Sequence, residues 1–205
     1  VIVTPSGSDA TLVAIDRQSG EVNWKTKVPQ NEEAGYASMI IGSFSGMKQY
    51  ISFLGSGLAG IDPSNGTVIW ESNTIKGNSQ TTPVSHDGYI YHSAGRVGGS
   101  LIKLEQTSNK VTTREIFSGT KAPKAMGGYV LLSDHVYGSG GQTMMCMNFK
   151  TGEIVWEERA LNGSNICYAD GLFYLHGQNG DLALAEANPK GYREISRFTP
   201  TGQAD

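Results

Sequence analysis

Cysteine is scarce in this chain. The two present, Cys146 and Cys167, lie 21 residues apart, no pair has zinc-like spacing, and both read as buried thiols rather than a disulfide framework. No apolar run approaches the ~18 residues of a membrane span. Basic residues are few, with Lys plus Arg at 16 against 19 Asp plus Glu and a net charge of -3. No cluster joins them to aromatic residues, which argues against nucleic acid as a partner. No glycine-rich stretch has the strand and helix context of a phosphate loop. A signal-peptide pattern is missing at Val1, which does not exclude export; a chain that starts Val1-Ile2-Val3, without Met and already inside a strand, looks trimmed.

Glycine, by contrast, is abundant, 27 of 205 residues, and aromatic residues reach 9%, the composition of a turn-rich β-protein. A chain of this length buries roughly 70% of its extended surface, enough for a proper core. One stretch recurs. Ala14-Ile15-Asp16-Arg17-Gln18-Ser19-Gly20-Glu21-Val22-Asn23-Trp24 returns as Gly60-Ile61-Asp62-Pro63-Ser64-Asn65-Gly66-Thr67-Val68-Ile69-Trp70 and as Cys146-Met147-Asn148-Phe149-Lys150-Thr151-Gly152-Glu153-Ile154-Val155-Trp156. A worn copy around Glu105 has Asn109 for the glycine and Thr113 for the Trp, and a fifth centred on Glu186 carries one extra residue before Gly191.

Within a copy, Leu12 and Ala14 alternate up to the acid, the period of a half-buried strand. Asp16, Asp62 or Asn148 can then accept from backbone N–H groups of a turn. Four residues on, Gly20, Gly66 or Gly152 supplies positive φ without steric cost. A second strand follows, and its Trp24, Trp70 or Trp156 is large enough to close a gap between neighbouring sheets. Each copy is predicted to be a hairpin whose Trp docks, largely buried, on the next unit.

From acid to acid or its substitute the intervals are 46, 43, 43 and 38 residues, and a period near ~43 with about four strands per unit belongs to propeller blades. Two more strands fit each interval: Thr81–Ser85 and Tyr89–His92 around Asp87-Gly88, Tyr129–Leu132 and His135–Tyr137 around Ser133-Asp134, and Asn165–Tyr168 and Leu172–Leu175 around Asp170-Gly171. Asp-Gly between apolar runs is the strongest short-range hairpin signal. The fold class is therefore all-β, a β-propeller of four-stranded antiparallel blades. About five are present, four complete and one lacking its innermost strand, over residues 1–28, 36–73, 80–118, 126–159 and 164–198 of a single domain spanning 1–205. Open arcs expose apolar faces and sheet edges. The chain thus reads as an excerpt of a larger ring able to self-associate through open edges, with five-bladed closure as the alternative.

The histidines give no catalytic lead. His86 and His135 sit at hairpin turns, His92 and His176 close second strands on different faces, and all four read as surface or turn residues. Asp9, Asp87, Asp134, Asp170 and Asp181 fall in turns, where bonding to their own backbone explains them. Topology points instead to the loops that enter each innermost strand and those joining second to third strands, which emerge at one end of the central channel. These are longer than the usual 4 to 6 residues and polar. The candidate ligand contacts there are Glu33, Tyr36, Asn78, Gln80, Arg96, Lys121, Lys124, Asn162 and Asn165, a rim suited to a peptide, a sugar or a cofactor.

The repeat Ala-x-Asp-x-x-Ser/Thr-Gly-Glu/Lys-x-x-Trp is similar to the tryptophan-docking motif of the pyrroloquinoline-quinone-like propellers, and the resemblance covers nearly the whole chain. It implies a bacterial exported branch, a periplasmic or cell-envelope location and typically eight blades. The family holds both quinoprotein dehydrogenases and the non-catalytic lipoprotein propeller of the outer-membrane β-barrel assembly machinery. One fold hosts many sites, so two functions stay open. The first is a non-catalytic scaffold binding protein or peptide on its loop face, with no cofactor. The second is part of a dehydrogenase using pyrroloquinoline quinone with calcium. Alcohol-oxidising members of the latter set the quinone against an adjacent cysteine pair and hold calcium with Glu, Asn and Asp beside a catalytic Asp; the adjacent pair is absent here.

Overall fold

The computed structural model describes residues 1–29, 33–77, 80–108 and 110–201, and among them every regular element is a β-strand. Two compact units are present, Val1–Ser118 and Gly119–Asp205. In the first unit, blade one is a three-stranded sheet of β1 (Ile2–Val3), β2 (Leu12–Ile15) and β3 (Val22–Thr26). Blade two has β4 (Ile40–Phe44), β5 (Met47–Leu54), β6 (Gly57–Ile61) and β7 (Val68–Ser72). Blade three has β8 (Val84–His86), β9 (Tyr89–Ser93), β10 (Gly99–Thr107) and β11 (Lys110–Gly119). In the second unit, blade four is β12 (Tyr129–Leu132), β13 (His135–Ser139), β14 (Thr143–Asn148) and β15 (Ile154–Arg159). Blade five is β16 (Asn165–Ala169), β17 (Leu172–His176), β18 (Leu182–Glu186) and β19 (Glu194–Phe198). All paired strands are sequential and antiparallel, so four complete meanders follow one that lacks a strand. The all-β propeller class read from the repeat is the class of the structure.

Local chemistry explains the hairpins. First and second strands of the four complete blades join through Ser45-Gly46, Asp87-Gly88, Ser133-Asp134 and Asp170-Gly171, each with positive φ at both residues. That is the type I′ turn whose twist suits paired strands. Third and fourth strands join through the repeated turn. The Asp16 N–H donates to Glu21 O and the Gly20 N–H to Asp16 O, and the same two bonds recur at Asp62 and Asn148. The Asp16 carboxylate accepts from Ser19 N (2.9 Å) and Gln18 N (2.8 Å). Those N–H groups hold its pKa below the ordinary carboxylate value, and at Asp62 the Ser64 hydroxyl, with the Ser64 N–H, does the same. Gly20, Gly66 and Gly152 take φ of 77°, 78° and 75°; Asn109, expected to behave like them, lies outside the described residues. The fifth copy departs from expectation. Its turn acceptor is Asn188, whose Oδ1 accepts from Lys190 N at 2.9 Å, while Glu186 forms an ion pair with Arg193 at 2.9 Å. The longer turn there shifts the acceptor two residues along.

Within each unit, successive blades pack face to face, the forward face of one sheet against the back face of the next. Leu12 and Trp24 of blade one lie against Leu54, Ala59 and Ile61 of blade two. Ile51, Phe53, Leu58 and Trp70 of blade two meet Ile90, Ile102, Leu104 and Val111 of blade three. In the second unit, Tyr137, Met144 and Cys146 of blade four meet Phe173, Leu175, Ala183 and Ala185 of blade five.

The three tryptophans differ in how they complete these joints. The Trp24 Nε1 donates across to Pro63 O at 3.1 Å, and the Trp156 Nε1 to Asn188 O at 3.2 Å. In both cases the indole of one blade reaches the repeated turn of the next. Both indoles pack against the joint and keep part of their surface exposed. Trp70, only 4% exposed, does not reach the next blade's turn: its Nε1 donates to Gln49 Oε1 at 2.6 Å within its own sheet. It lies flat across Gly60, where a Cβ would stand 2.1 Å from Nε1. The next turn is the worn copy, with Glu105 for the Asp and no glycine, which fits the inward path of the Trp70 N–H.

Two outcomes test this packing. Trp70→Ala removes the most deeply buried indole and should cost about 3–5 kcal/mol, whereas Thr113→Ala, at the worn position, should cost under about 1 kcal/mol; equal losses in denaturant titrations would contradict the assignment. Gly66→Val should destabilise more than Gly20→Val. Both strain a positive φ at roughly 1–3 kcal/mol, but a Cβ on Gly66 would also stand 2.3 Å from Thr26 Oγ1 and 2.6 Å from the Trp24 ring, while one on Gly20 meets nothing within 4 Å.

Candidate functional site

In each unit, the loops that enter innermost strands meet the turns between second and third strands at one end. Backbone bonds stitch them: the Gly55 N–H donates to Glu33 O (3.1 Å) and the Gly77 N–H to Gly55 O (3.1 Å) in the first unit. In the second, the Gly163 N–H donates to Gly141 O (2.6 Å) and the Gln178 N–H to Asn162 O (3.1 Å). Each entry loop therefore rests on the turn of its own blade or of the preceding one. Buried backbone polar groups are satisfied in this way, and the rim is held in shape.

The predicted contacts separate into groups. Glu33 packs over Gly55, where a Cβ would stand 2.8 Å from its own; Tyr36 is 79% exposed. Gln80 lies beside Gly95, and Arg96 next to it points to solvent. Asn78 lies outside the described residues. Lys121 pairs with Glu157 at 3.0 Å, and the Lys124 Nζ donates to Thr120 O at 2.6 Å, so both ammonium groups are engaged. Glu157, with the Lys121 ammonium and the Thr143 hydroxyl against it, is held below the ordinary Glu pKa. Asn165 lines a recess of about 450 Å³ with Met126, His176, Gln178 and Asn179. Asn162 joins that rim through its backbone. The recess is amide-rich, with an exposed Met126 at its lip (64% exposed). Sequence reasoning reached Asn165 and Asn162 but missed Met126, Gln178 and Asn179. The Gly177–Gly180 turn holding the last two reads as ordinary turn chemistry, and nothing in it marks a ligand.

Among the described residues no group of three or more His, Cys, Asp or Glu is placed to hold a metal ion. Cys146 and Cys167 are both free; Cys146 is buried as expected, and burial pushes its thiol up to about 11, but Cys167 is exposed. The reading of Cys167 as buried fails because its side chain shares a face of blade five with its register partner Tyr174, and both are exposed.

His92 is the second correction. It is fully buried on the back face of blade three, edge-on to Phe53 of blade two at 4.7 Å between ring centroids. Its Nε2 lies 3.3 Å from Thr74 Oγ1, and its Nδ1 has no partner among the described residues. Desolvation lowers its pKa from 6.5 to about 3. The folded chain therefore refuses a proton that the unfolded chain takes up near pH 6.5. Stability is complete above that value and is lost as pH falls from about 6.5 toward about 3, with a slope of at most roughly 1.4 kcal/mol per pH unit. Chemical denaturation at pH 7 and pH 5 should show a loss of about 2 kcal/mol in the wild type that is largely absent in His92→Gln; the same loss in both would place the titration elsewhere.

Sequential antiparallel blades, joined face to face and closed by a repeated turn and Trp, define a β-propeller of the pyrroloquinoline-quinone-like class. The family model described as outer membrane protein assembly factor BamB matches residues 1–158, and the chain belongs to that family. A crystal structure of BamB from Moraxella catarrhalis is similar at 18% identity, covering 93% of this chain and 71% of that one, with a TM-score of 0.48. The crystal structure of the computationally designed Ika4 protein is similar at 11% identity, covering 82% of this chain and 99% of that one, with a TM-score of 0.57; this likeness concerns the fold alone. No curated protein sequence matches the chain.

Proposed function

We propose that this chain is a non-catalytic β-propeller scaffold of the bacterial cell envelope, its blades joined by tryptophan docking, which binds protein or peptide on its loop face. The observation that carries the reading is the stitched polar rim: backbone bonds fix its shape, and amide groups and an exposed Met line its recess. Such a surface offers donors, acceptors and an apolar contact to an extended chain. Membership in a family described as an outer membrane assembly factor supports the envelope location; among the described residues no helix is long and apolar enough to cross a membrane.

The alternative is a quinone-dependent dehydrogenase. Its residues fit poorly. Calcium held beside a quinone needs several carboxylate and amide oxygens converging on one point. Glu157 is engaged by Lys121 and Thr143, and Glu33 packs over Gly55. The reading therefore assigns no residue to a quinone.

Photocrosslinking separates the two. A crosslinking side chain at Tyr36 or Asn165 should capture a discrete envelope protein, while the same group at Asp87 or Asp170, in turns at the opposite end of the blades, should not. Capture independent of position would refute a loop-face site. In a parallel arm, pyrroloquinoline quinone with calcium should leave the thermal midpoint unchanged. A rise that grows with quinone concentration would favour the dehydrogenase, since a ligand of the native state must stabilise it.

A further inference from the structure

The joint between blades two and three holds a cleft of about 340 Å³ beside the Asp87-Gly88 turn, at the end of the blades away from the loop rim. Comparison among the blades shows why it is there. Counting outward from the type I′ turn, the third facing pair on first and second strands is Val84 with Tyr91 in blade three, Val130 with Tyr137 in blade four and Cys167 with Tyr174 in blade five. In blade two the same pair is Gly42 with Gln49. Tyr91 and Tyr137 are fully buried, and the Tyr137 ring fills its joint, 4.8 Å between centroids from Phe173 of the next blade. Where the other blades set a phenol beside a larger side chain, blade two sets an amide beside a bare Cα, and both Gly42 and Gln49 line the cleft.

The lining is polar and deep at once. Gln49 is only 3% exposed. Its Oε1 accepts from Trp70 Nε1 at 2.6 Å, while its Nε2 has no hydrogen-bond partner among the described residues. A buried donor without an acceptor is costly, and the cleft is where an acceptor can stand. The Ser85 hydroxyl opens onto the same space, for a Cβ on Gly42 would stand 3.3 Å from its Oγ. Ile51, Ile90 and Leu104, all buried, supply an apolar wall. Among the described residues no Lys or Arg lines the cleft, and at its mouth the Asp87 carboxylate stands 3.4 Å from His86 Nε2. An anion would find no counter-charge there. A carbonyl oxygen has two lone pairs, one for each donor, and an amide adds an N–H that Asp87 can accept.

We propose that the cleft between blades two and three binds a small neutral aliphatic amide. Its carbonyl oxygen accepts from Gln49 Nε2 and Ser85 Oγ, and its aliphatic group lies on Ile51, Ile90 and Leu104. A volume of about 340 Å³ falls within the range of small-molecule sites, which combine apolar walls with a few placed polar groups. The cleft lies wholly within the first unit and apart from the loop rim, so it stands independently of the scaffold reading.

Titration of the 205-residue chain with N-acetyl-leucinamide, followed by nitrogen-proton NMR, tests this. The side-chain amide resonances of Gln49 and the indole N–H of Trp70, which bonds to the same amide, should shift and saturate. N-acetyl-leucine, which differs by carrying a carboxylate, should leave them in place. Gly42→Val restores the bulk that Val130 supplies in blade four and keeps the acceptor for Trp70, so it should abolish the response. Because Ile51 must turn aside for that side chain, with its Cδ1 2.6 Å from the added Cβ, Ser85→Ala serves as a second variant; it removes one donor and should weaken binding roughly tenfold. Resonances that never move with the amide overturn the proposal. So does an equal response to the carboxylate, or one confined to the side-chain amides of Asn165 and Gln178, which would place binding on the loop rim.

Discussion

Face-to-face burial between successive sheets is the constraint on which the rest depends. A single four-stranded meander presents two broad faces to water and is marginal alone. Within each unit a forward face becomes core when the next back face covers it, as Phe53 and Leu58 do against Ile90 and Ile102, and Tyr137 and Met144 against Phe173 and Leu175. Stability is then a sum of nearest-neighbour joints, as in other repeat architectures. The repeated turn serves the joint: its Asp or Asn orders the loop, its glycine clears space, and at Gly66 that space is filled by the Trp24 ring. One glycine thus answers two demands, a positive φ and a bare Cα under an indole.

The worn copy shows what happens when part of this device is lost. Trp70 still lies in the joint between blades two and three, but its N–H is satisfied by Gln49 of its own sheet. Burial is kept and the cross-blade hydrogen bond is given up. An indole N–H in an apolar joint needs some acceptor, since leaving it unpaired would cost on the order of 1–3 kcal/mol. The neighbouring sheet need not provide it.

The rim owes its form to the same stacking. Entry loops are long and polar, yet they are not independent, because Glu33, Gly55 and Gly77 are hydrogen-bonded in series across blades two and three, and Gly163 with Gly141 ties the entry to blade five to the turn of blade four. Packing of the sheets brings these loops together, and backbone bonds then hold them. Loops joined in this way are fixed relative to the blades they rest on.

Strands, turns and blade count were legible in the residues because each is a local matter. Alternation marks a strand, Asp87-Gly88 and Asp170-Gly171 mark type I′ hairpins, and the spacing from Asp16 to Asp62 measures a blade. Even the fifth turn was visible, although the acceptor was misplaced at Glu186 instead of Asn188 because an insertion shifts the register without changing the composition. Burial was a different matter. Period-two patterning tells which side of its own sheet a residue occupies, but not whether another sheet lies against that side. His92 lies next to the end of β9 and Cys167 at the middle of β16, and it is Phe53 of the neighbouring blade against the one, and solvent against the other, that separates a desolvated imidazole from an exposed thiol. The recess by Asn165 was likewise beyond local reading, since Gln178 and Met126 reach it from loops 52 residues apart in sequence, and only the stacking of blade five on blade four brings them together.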